Sequence, residues 1–422
     1  TYQGGAFTQW FDESWTSGLA QNTLDRRVAE DTDAMQYAKI IPLGRYSLFP
    51  APTTLGTDGL KALAPYFLDW TQHPTYDAYW KQWSIEADYS RIRVPAFHTG
   101  GWYDLFLDGT LRNYMGIRDH GGTSAARSGQ RLLIIVGGHA GLGRKVGDVD
   151  FGAQSVIDLN ALMIRWYNYL LKGVHNGMAG EKPVKYFLMG KGVWEEAKSW
   201  PPAGEHGTPF YLHSGGKANT AQGDGSLSAT PPGQESPDRF AYDPANPVPT
   251  LGGRLCCDSL HLEPGARDQR PNEARGDVLV YSMPAFKQDF TLTGPVRLIL
   301  YASSTAVDTD FTAKLVDVDP NGFARNLTGG IIRARYRNSM ETPEFMTPRK
   351  VYKFTIDLWD TSNDFLPGHR LRVEVSSSNF PRFDRNLNTR ESPETGAHWV
   401  KATNTVYHDA AHPSAIILPV MR

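Results

Sequence analysis

The sequence has only two cysteines, Cys256 and Cys257, and they are adjacent. Neither a disulfide framework nor a zinc cage can be built without cysteines that are spaced along the chain, so both are excluded. We interpret the pair as two small apolar side chains in a β-rich segment. The compartment therefore stays undetermined, and the sequence is compatible with both a cytoplasmic and a secreted protein.

The chain also has no large excess of positive or negative charge, because it contains 43 Lys and Arg residues and 45 Asp and Glu residues. A near-neutral chain gives no electrostatic reason to expect nucleic acid or an anionic membrane as a partner. No apolar run approaches the roughly 20 residues that span a bilayer. We expect neither partner, and the sequence leaves open whether the protein is a homo-oligomer.

The first residues, Thr1-Tyr2-Gln3-Gly4-Gly5, contain no methionine, no basic segment and no signal core. We interpret them as the middle of a longer protein with an N-terminal segment missing. The chain nevertheless has 422 residues, 40% of them hydrophobic, which is enough for about two or three domains with buried cores.

Residues 1–88 are rich in aromatic side chains at helical spacing, and we predict a helical cap. Phe7, Trp10, Phe11, Trp15 and Leu19 would share one face of a helix, and a short helix is predicted over Asp77–Trp83.

Residues 89–203 alternate between strands and helices, which predicts part of an α/β domain. Val94–Phe97 and Leu132–Val136 have the pattern of short buried strands. Leu107–Ile117 and Asp158–Lys172 are predicted helices, and Gly173 would cap the second at its C-terminus.

Residues 204–422 contain connections rich in Gly, Ser, Pro and Asn over residues 214–250 and short β runs over Asp277–Ile417, which predicts a jelly roll. The predicted strands are Val296–Tyr301, Phe311–Val318, Ile331–Tyr336, Val351–Leu358 and Leu371–Ser376. Asp317, Asp319 and Asn321 resemble the start of a calcium loop, but its twelfth position is Thr328 rather than Glu. We therefore predict a hairpin turn there, and no metal or cofactor for the chain.

Two titratable residues directly follow predicted strands of the α/β region: Asp104 and, in a glycine-rich loop, His139. Ligands of open α/β sheets bind beyond the carboxyl ends of strands, and the order Asp before His fits a hydrolase triad. His139 would be the general base and Asp104 would orient it. An Asp after a strand is also a common helix cap, and a His between glycines a common turn residue, so the residues alone leave both interpretations open.

Several longer motifs resemble the CocE/NonD hydrolases, the family of cocaine esterase and X-Pro dipeptidyl-peptidases. They are spread over the whole chain: Thr1–Phe7, His73–Asp77, Thr99–Asp104, Gln130–Leu133, Ser303–Phe311, Leu366–Arg370 and Val375–Pro381. The resemblance implies a partial α/β-hydrolase domain with a helical cap, followed by a C-terminal jelly roll.

The same resemblance places the acid of a catalytic triad on Asp104 and its base on His139. The family's serine lies in a Gly-x-Ser-Tyr-x-Gly turn, which would precede Thr1; no Gly-x-Ser-x-Gly occurs in the chain. The relaxed match around Ser124 follows no strand and is interpreted as a turn. A second departure precedes His139, where Ile135-Val136-Gly137 stands in place of the family's usual Gly-Pro-Trp.

The substrate expected from the resemblance is a small-molecule ester or amide, cleaved through an acyl-serine intermediate. α-Amino acid ester hydrolases resemble one another in an acidic pair after the triad acid, and here those positions are Phe106 and Leu107. We therefore expect a neutral, apolar acyl group. Phe7, Trp102, Tyr103 and Phe106 are predicted to line its pocket.

Two alternatives stay open at this point. The first is an X-Pro dipeptidyl-peptidase or an acylase of the same family. The second is a non-enzymatic protein, an inactive truncated product whose jelly roll binds carbohydrate or a partner surface.

Overall fold

The computed structural model describes residues 1–23, 64–139, 143–256, 262–392 and 396–422. The N-terminal segment contains strands β1 (Tyr2–Gln3) and β2 (Ala6–Phe7) and helices α1 (Gln9–Thr23), α2 (Pro65–Gln72) and α3 (Ala78–Lys81). The helix predicted near residue 80 is confirmed, and it begins after Asp77 because this carboxylate accepts the Tyr79 N–H. Phe7 was wrongly placed on the first helix: it belongs to β2 and pairs with Tyr2.

The α/β layer is a four-stranded sheet in the order β3-β4-β7-β8. Its strands are β3 (Phe97–Tyr103), β4 (Arg131–Gly138), β7 (Val184–Leu188) and β8 (Val193–Ala197), with a small hairpin of β5 (Lys145–Val146) and β6 (Val149–Asp150) between them. Helices α4 (Leu107–His120), α5 (Ser124–Ser128) and α6 (Leu159–Lys172) accompany the sheet. Strands β3, β4 and β7 run parallel, so their carboxyl ends lie at one edge.

Both long helices of this layer were predicted, and α6 was predicted from the spacing of its apolar residues. Helix α6 has the expected termini, since Asp158 accepts the Ala161 N–H and Gly173 adopts the left-handed conformation. The first strand was placed too early, because it begins at Phe97 and not at Val94. Pro95 has no N–H to donate to a sheet, which explains the shift.

The C-terminal region forms an 11-stranded sheet system, in the order β11-β18-β13-β19-β9-β10-β12-β17-β14-β15 with β16 paired to β13. The strands are β9 (Glu205–His213), β10 (Ser226–Ser228), β11 (Asp238–Tyr242), β12 (Leu279–Ser282), β13 (Phe290–Ser304), β14 (Asp310–Val318), β15 (Ala324–Arg333), β16 (Tyr352–Phe365), β17 (Arg370–Ser376), β18 (Ala402–Tyr407) and β19 (Ala415–Met421). A short helix, α7 (Arg270–Glu273), precedes β12.

Three of the five predicted β runs lie within these strands, and a fourth, Val351–Leu358, begins one residue before β16. The fifth, Ile331–Tyr336, leaves β15 after Arg333 and continues as a single 3₁₀ turn. The turn between β14 and β15 is the predicted hairpin, in which the Asp319 N–H donates to the Phe323 carbonyl.

The structure bears on what the composition indicated about the cysteines, membrane-spanning helices and metal sites. Cys256 is buried and disulfide-bonded, so its interpretation as a simple apolar residue is wrong. No helix in the described ranges is long and apolar enough to cross a membrane. Across those ranges, no group of three or more His, Cys, Asp or Glu side chains could hold a metal ion.

A buried arginine, Arg254, joins the end of β3 to the jelly roll. Its Nε–H donates to the Trp102 carbonyl at 3.1 Å, and its two terminal nitrogens donate to acceptors on β15 and β16. These acceptors are the Thr328 hydroxyl and the Leu358 and Asp360 carbonyls. The planar guanidinium therefore fixes the two domains against each other next to the edge at which β3 ends.

We expect Arg254→Met to lower the free energy of unfolding by about 3 kcal/mol, because it leaves several buried carbonyl groups without a donor. Arg254→Lys should restore little of this stability, because one ammonium group cannot donate to all the acceptors that the planar guanidinium reaches. Urea unfolding measures both variants. The control is Arg239→Met at an exposed position of β11. If Arg254→Met loses no more unfolding free energy than this control, Arg254 does not hold the two domains together.

A second buried charge cluster lies inside the jelly roll around His408, whose side chain is fully buried. Its Nε2 lies 2.9 Å from Asp238 and its Nδ1 lies 3.0 Å from Glu235. Burial alone would lower the pKa of His408, but hydrogen bonds to Asp238 and Glu235 outweigh it and raise the pKa above 6.5. The protonated imidazole thus links two carboxylates.

The His408 contribution to stability should be complete below about pH 6.5 and lost as the pH rises through the raised folded pKa. Wild-type protein should therefore lose unfolding free energy as the pH rises above about 6.5. His408→Gln should be less stable than the wild type by about 3 kcal/mol at pH values below about 6.5. Its unfolding free energy should also lack the loss that the wild type shows as the pH rises. His398→Gln, at an exposed position, is the control. If the unfolding free energy of His408→Gln depends on pH as that of the wild type does, His408 is not the group responsible.

Candidate active site

Asp104 and His139 follow two neighbouring parallel strands at the point where each strand ends. β3 ends at Tyr103 and β4 at Gly138, and these two residues are paired in the sheet. The adjacent strand ends bring the two titratable residues to one edge, as their positions in the sequence predicted.

The backbone around Asp104 is held by a tight turn. The Asp104 N–H donates to the Gly101 carbonyl at 2.9 Å, and the Phe106 N–H donates to Oδ1 of Asp104 at 2.9 Å. A Cβ on Gly101 would collide with the Gly137 carbonyl, so a glycine is required for this close approach of β3 and β4. The turn therefore fixes where the Asp104 carboxylate points.

The two side chains meet through Nδ1 of His139 and Oδ1 of Asp104, which are 3.3 Å apart. The Asp104 side chain is 16% exposed and the His139 side chain 39% exposed. Within the described residues, Nε2 of His139 has no hydrogen-bond partner. A carboxylate on Nδ1 favours the tautomer in which Nε2 is free to accept a proton.

An aromatic ring covers one side of the imidazole. The Phe106 ring lies edge-on to His139 at 4.9 Å between centroids, and Phe11 lies edge-on to Phe106 at 5.6 Å. Phe106 is 46% exposed and lines a cavity of about 120 Å³. The cavity therefore adjoins His139 through this ring, and its apolar side chains include Phe11, Leu105, Leu255 and Trp359.

Of the four residues predicted to line the acyl pocket, Phe106 lines this cavity, and Phe7, Trp102 and Tyr103 do not. Trp102 and Tyr103 are fully buried, and their polar atoms donate to the backbone carbonyls of Phe187 and Asn326. Burial raises the pKa of Tyr103 to about 12. A side chain without exposed surface cannot contact a ligand, so the prediction is corrected for both residues.

Phe7 is corrected for the same reason, since it is 1% exposed and packs against Tyr2 and Phe67. Its N–H donates to the buried Asp384 carboxylate, which fastens the N-terminal segment to the jelly roll. Phe7 thus contacts Tyr2, which itself lines the cavity.

Sequence reasoning missed Leu255 and Trp359, which line the cavity from the C-terminal region. Leu255 follows the pair Gly252-Gly253, and both glycines have positive φ. The glycine pair was a signal of close backbone approach in the sequence, but it did not reveal which surface is approached.

Two family models match the chain. The model for the X-Pro dipeptidyl-peptidase (S15 family) matches residues 1–141, and the model for the X-Pro dipeptidyl-peptidase C-terminal non-catalytic domain matches residues 176–417. The first match contains Asp104 and His139, and the second contains the jelly roll.

A cocaine esterase from Rhodococcus sp. (strain MB1 Bresler) is 37% identical over 435 residues, covering 99% of this chain and 73% of the esterase. An aminopeptidase structure from a marine sediment Thaumarchaeota archaeon is 25% identical, with a TM-score of 0.82 over 100% of this chain and 69% of its own. An α-amino acid ester hydrolase is 26% identical, with a TM-score of 0.80 over 99% of this chain and 69% of its own.

These similarities agree with the α/β layer, the C-terminal β domain and the motifs seen in the sequence. The chain belongs to the CocE/NonD family of serine hydrolases, which includes cocaine esterase and resembles the X-Pro dipeptidyl-peptidases of family S15.

Proposed function

We propose that this chain supplies the acid and the base of a Ser-His-Asp triad in an enzyme that hydrolyses esters or amides. Asp104 is the acid and His139 the base. The observation that carries the proposal is the 3.3 Å contact between Asp104 Oδ1 and His139 Nδ1 at the carboxyl edge of a parallel sheet. The nucleophilic serine is proposed to lie outside these 422 residues, because the chain contains no Gly-x-Ser-x-Gly.

In the proposed reaction, Nε2 of His139 takes the proton from the serine hydroxyl while the serine oxygen attacks the substrate carbonyl. The same nitrogen returns the proton to the departing alcohol or amine, leaving an acyl-serine. Water then repeats the sequence and releases the acid. Asp104 stabilises the imidazolium and keeps its proton on Nδ1 throughout.

The acyl group is proposed to be neutral and apolar. The exposed ring of Phe106 lies edge-on to the imidazole, and its position corresponds to one where α-amino acid ester hydrolases have an acidic residue. An α-ammonium next to Phe106 would lose water without gaining a carboxylate, which is unfavourable. Phe11 and Leu105 extend the apolar wall away from His139.

In the protein that combines this chain with its serine, we expect His139→Ala and Asp104→Asn each to lower kcat for p-nitrophenyl butyrate by about 10⁴. The first variant removes the proton acceptor, and the second removes the group that fixes its tautomer. His120→Ala, at the exposed end of α4, should leave kcat unchanged. A folded His139→Ala enzyme with more than about a tenth of wild-type kcat would remove His139 from the mechanism.

The acyl-group proposal predicts that kcat/KM is higher for p-nitrophenyl butyrate than for an α-amino acid p-nitrophenyl ester. Phe106→Glu should shift this ratio towards the amino ester by about tenfold, because a carboxylate would then face the ammonium. Phe106→Gln has the same length without the charge and serves as the control. Equal shifts in the Glu and Gln variants would show that ring removal, and not charge, sets the preference.

A further inference from the structure

Trp359 has an unusual backbone conformation for a bulky residue. Its φ is +66°, in the left-handed region that favours glycine. A large side chain is strained there, and residues strained in this way cluster at functional sites. Three other non-glycine residues in the described ranges have a positive φ, but none of them lines the cavity next to His139. Trp359 does line it, which connects the strained backbone with the candidate site.

A β-bulge in β16 gives Trp359 this conformation. Trp359 pairs with Val296 of β13, whereas the next residue of β13, Arg297, pairs with Asp357. Leu358 is therefore an extra residue without a partner on β13, and bulges of this kind redirect a neighbouring side chain. The Asp357 carboxylate accepts the Trp359 N–H at 2.9 Å, which fixes the backbone of the bulge.

The indole ring of Trp359 is stacked against Arg254, whose guanidinium carbon lies 4.9 Å from the ring centroid. Arg254 is itself fixed by its hydrogen bonds to Trp102, to Thr328 and to two carbonyls of β16. A ring that lies against a cation held in this way has little freedom to move. Trp359 is thus a rigid part of the cavity wall.

Trp359 belongs to a wall that two cavities share. The first is the cavity of about 120 Å³ that adjoins His139 through Phe106, and the second is a larger cavity of about 680 Å³. Phe106 lines the first cavity and not the second. The described residues that line both are Thr1, Tyr2, Gln3 and Trp359. The two cavities therefore meet at these four residues.

The two aromatic rings in this shared wall are held by different parts of the chain. The Tyr2 hydroxyl donates to the Trp70 carbonyl at 3.0 Å, and the Tyr2 ring packs against Phe7 and Trp80. Tyr2 is thus bound within the N-terminal segment. Among the described residues, Trp359 is the one side chain that the jelly roll contributes to the shared wall.

The volume of the first cavity limits the acyl group that it can hold. About 120 Å³ is slightly less than the volume of a cavity that holds one benzene ring, about 150 Å³. A butyryl group fits into this space, whereas an octanoyl chain would have to extend past the shared wall. We propose that Trp359 sets the maximum length of the acyl group by closing the acyl pocket towards the larger cavity, an inference that rests on the function proposed above. Without the indole ring, the two cavities would form one continuous space.

The test compares p-nitrophenyl butyrate with p-nitrophenyl octanoate in the protein that combines this chain with its serine. We expect Trp359→Ala to raise the ratio of kcat/KM for the octanoate to kcat/KM for the butyrate by about tenfold, mainly through a lower KM for the octanoate. A merely structural role of Trp359 would not move this ratio, because a smaller folded fraction lowers both rates alike. Trp359→Phe keeps an aromatic ring and should keep most of the preference for butyrate.

Trp399→Ala is the matched control, because Trp399 is an exposed tryptophan of the same domain and lines neither cavity. It should leave the ratio unchanged. An unchanged ratio in Trp359→Ala, or an equal rise in Trp399→Ala, would overturn the proposal. Should Trp359→Ala fail to fold, Trp359→Leu takes its place, with the same expected direction and the same contradicting result.

A binding measurement separates this proposal from the proposed hydrolysis. If the wild-type protein hydrolyses neither ester, the function proposed above fails, and isothermal titration of the 422-residue chain with octanoate decides the role of Trp359. Trp359→Ala should then bind octanoate about tenfold more tightly than the wild-type chain, with no such gain for butyrate. Equal octanoate affinities of the two chains would refute the role of Trp359 as the limit of the pocket.

Discussion

The buried guanidinium of Arg254 is the contact on which the geometry of the whole site depends. It donates to the carbonyl of Trp102 on one side and to β15 and β16 on the other. Asp104 lies two residues beyond that carbonyl, so the proposed triad acid is held in place by the jelly roll as well as by its own sheet. A domain that carries no proposed catalytic residue thereby contributes to the active site.

The buried residues around the site have a different role from the partly exposed ones. Trp102 and Tyr103 direct their side chains into the core and fix the end of β3 through hydrogen bonds to distant carbonyls. Asp104 and His139 stay partly exposed at the edge, as the proposed proton transfer to Nε2 requires. Phe106 stands between them and the cavity. The buried end of β3 thus supports the site, and the residues that follow the strand ends carry the proposed chemistry.

Local patterns in the sequence predicted the local features well. Asp158 and Gly173 bound α6 as expected, and the strand-end positions of Asp104 and His139 predicted their proximity. The sequence could not show which way Trp102 and Tyr103 face, because β3 is buried and lacks polar–apolar alternation. Nor could it show that Arg254, more than 100 residues away, bonds to β3. Such long-range contacts depend on packing between domains.

The measurement that tests the central claim most directly is the tautomer of His139 in the 422-residue chain. It is read from ¹⁵N shifts of the histidine nitrogens, assigned with a His139→Gln variant. The proposed role of Asp104 predicts that neutral His139 carries its proton on Nδ1 and leaves Nε2 bare, and that Asp104→Ala abolishes this preference. A neutral imidazole protonated on Nε2 in the wild-type chain would contradict the assignment of Asp104 and His139 as acid and base.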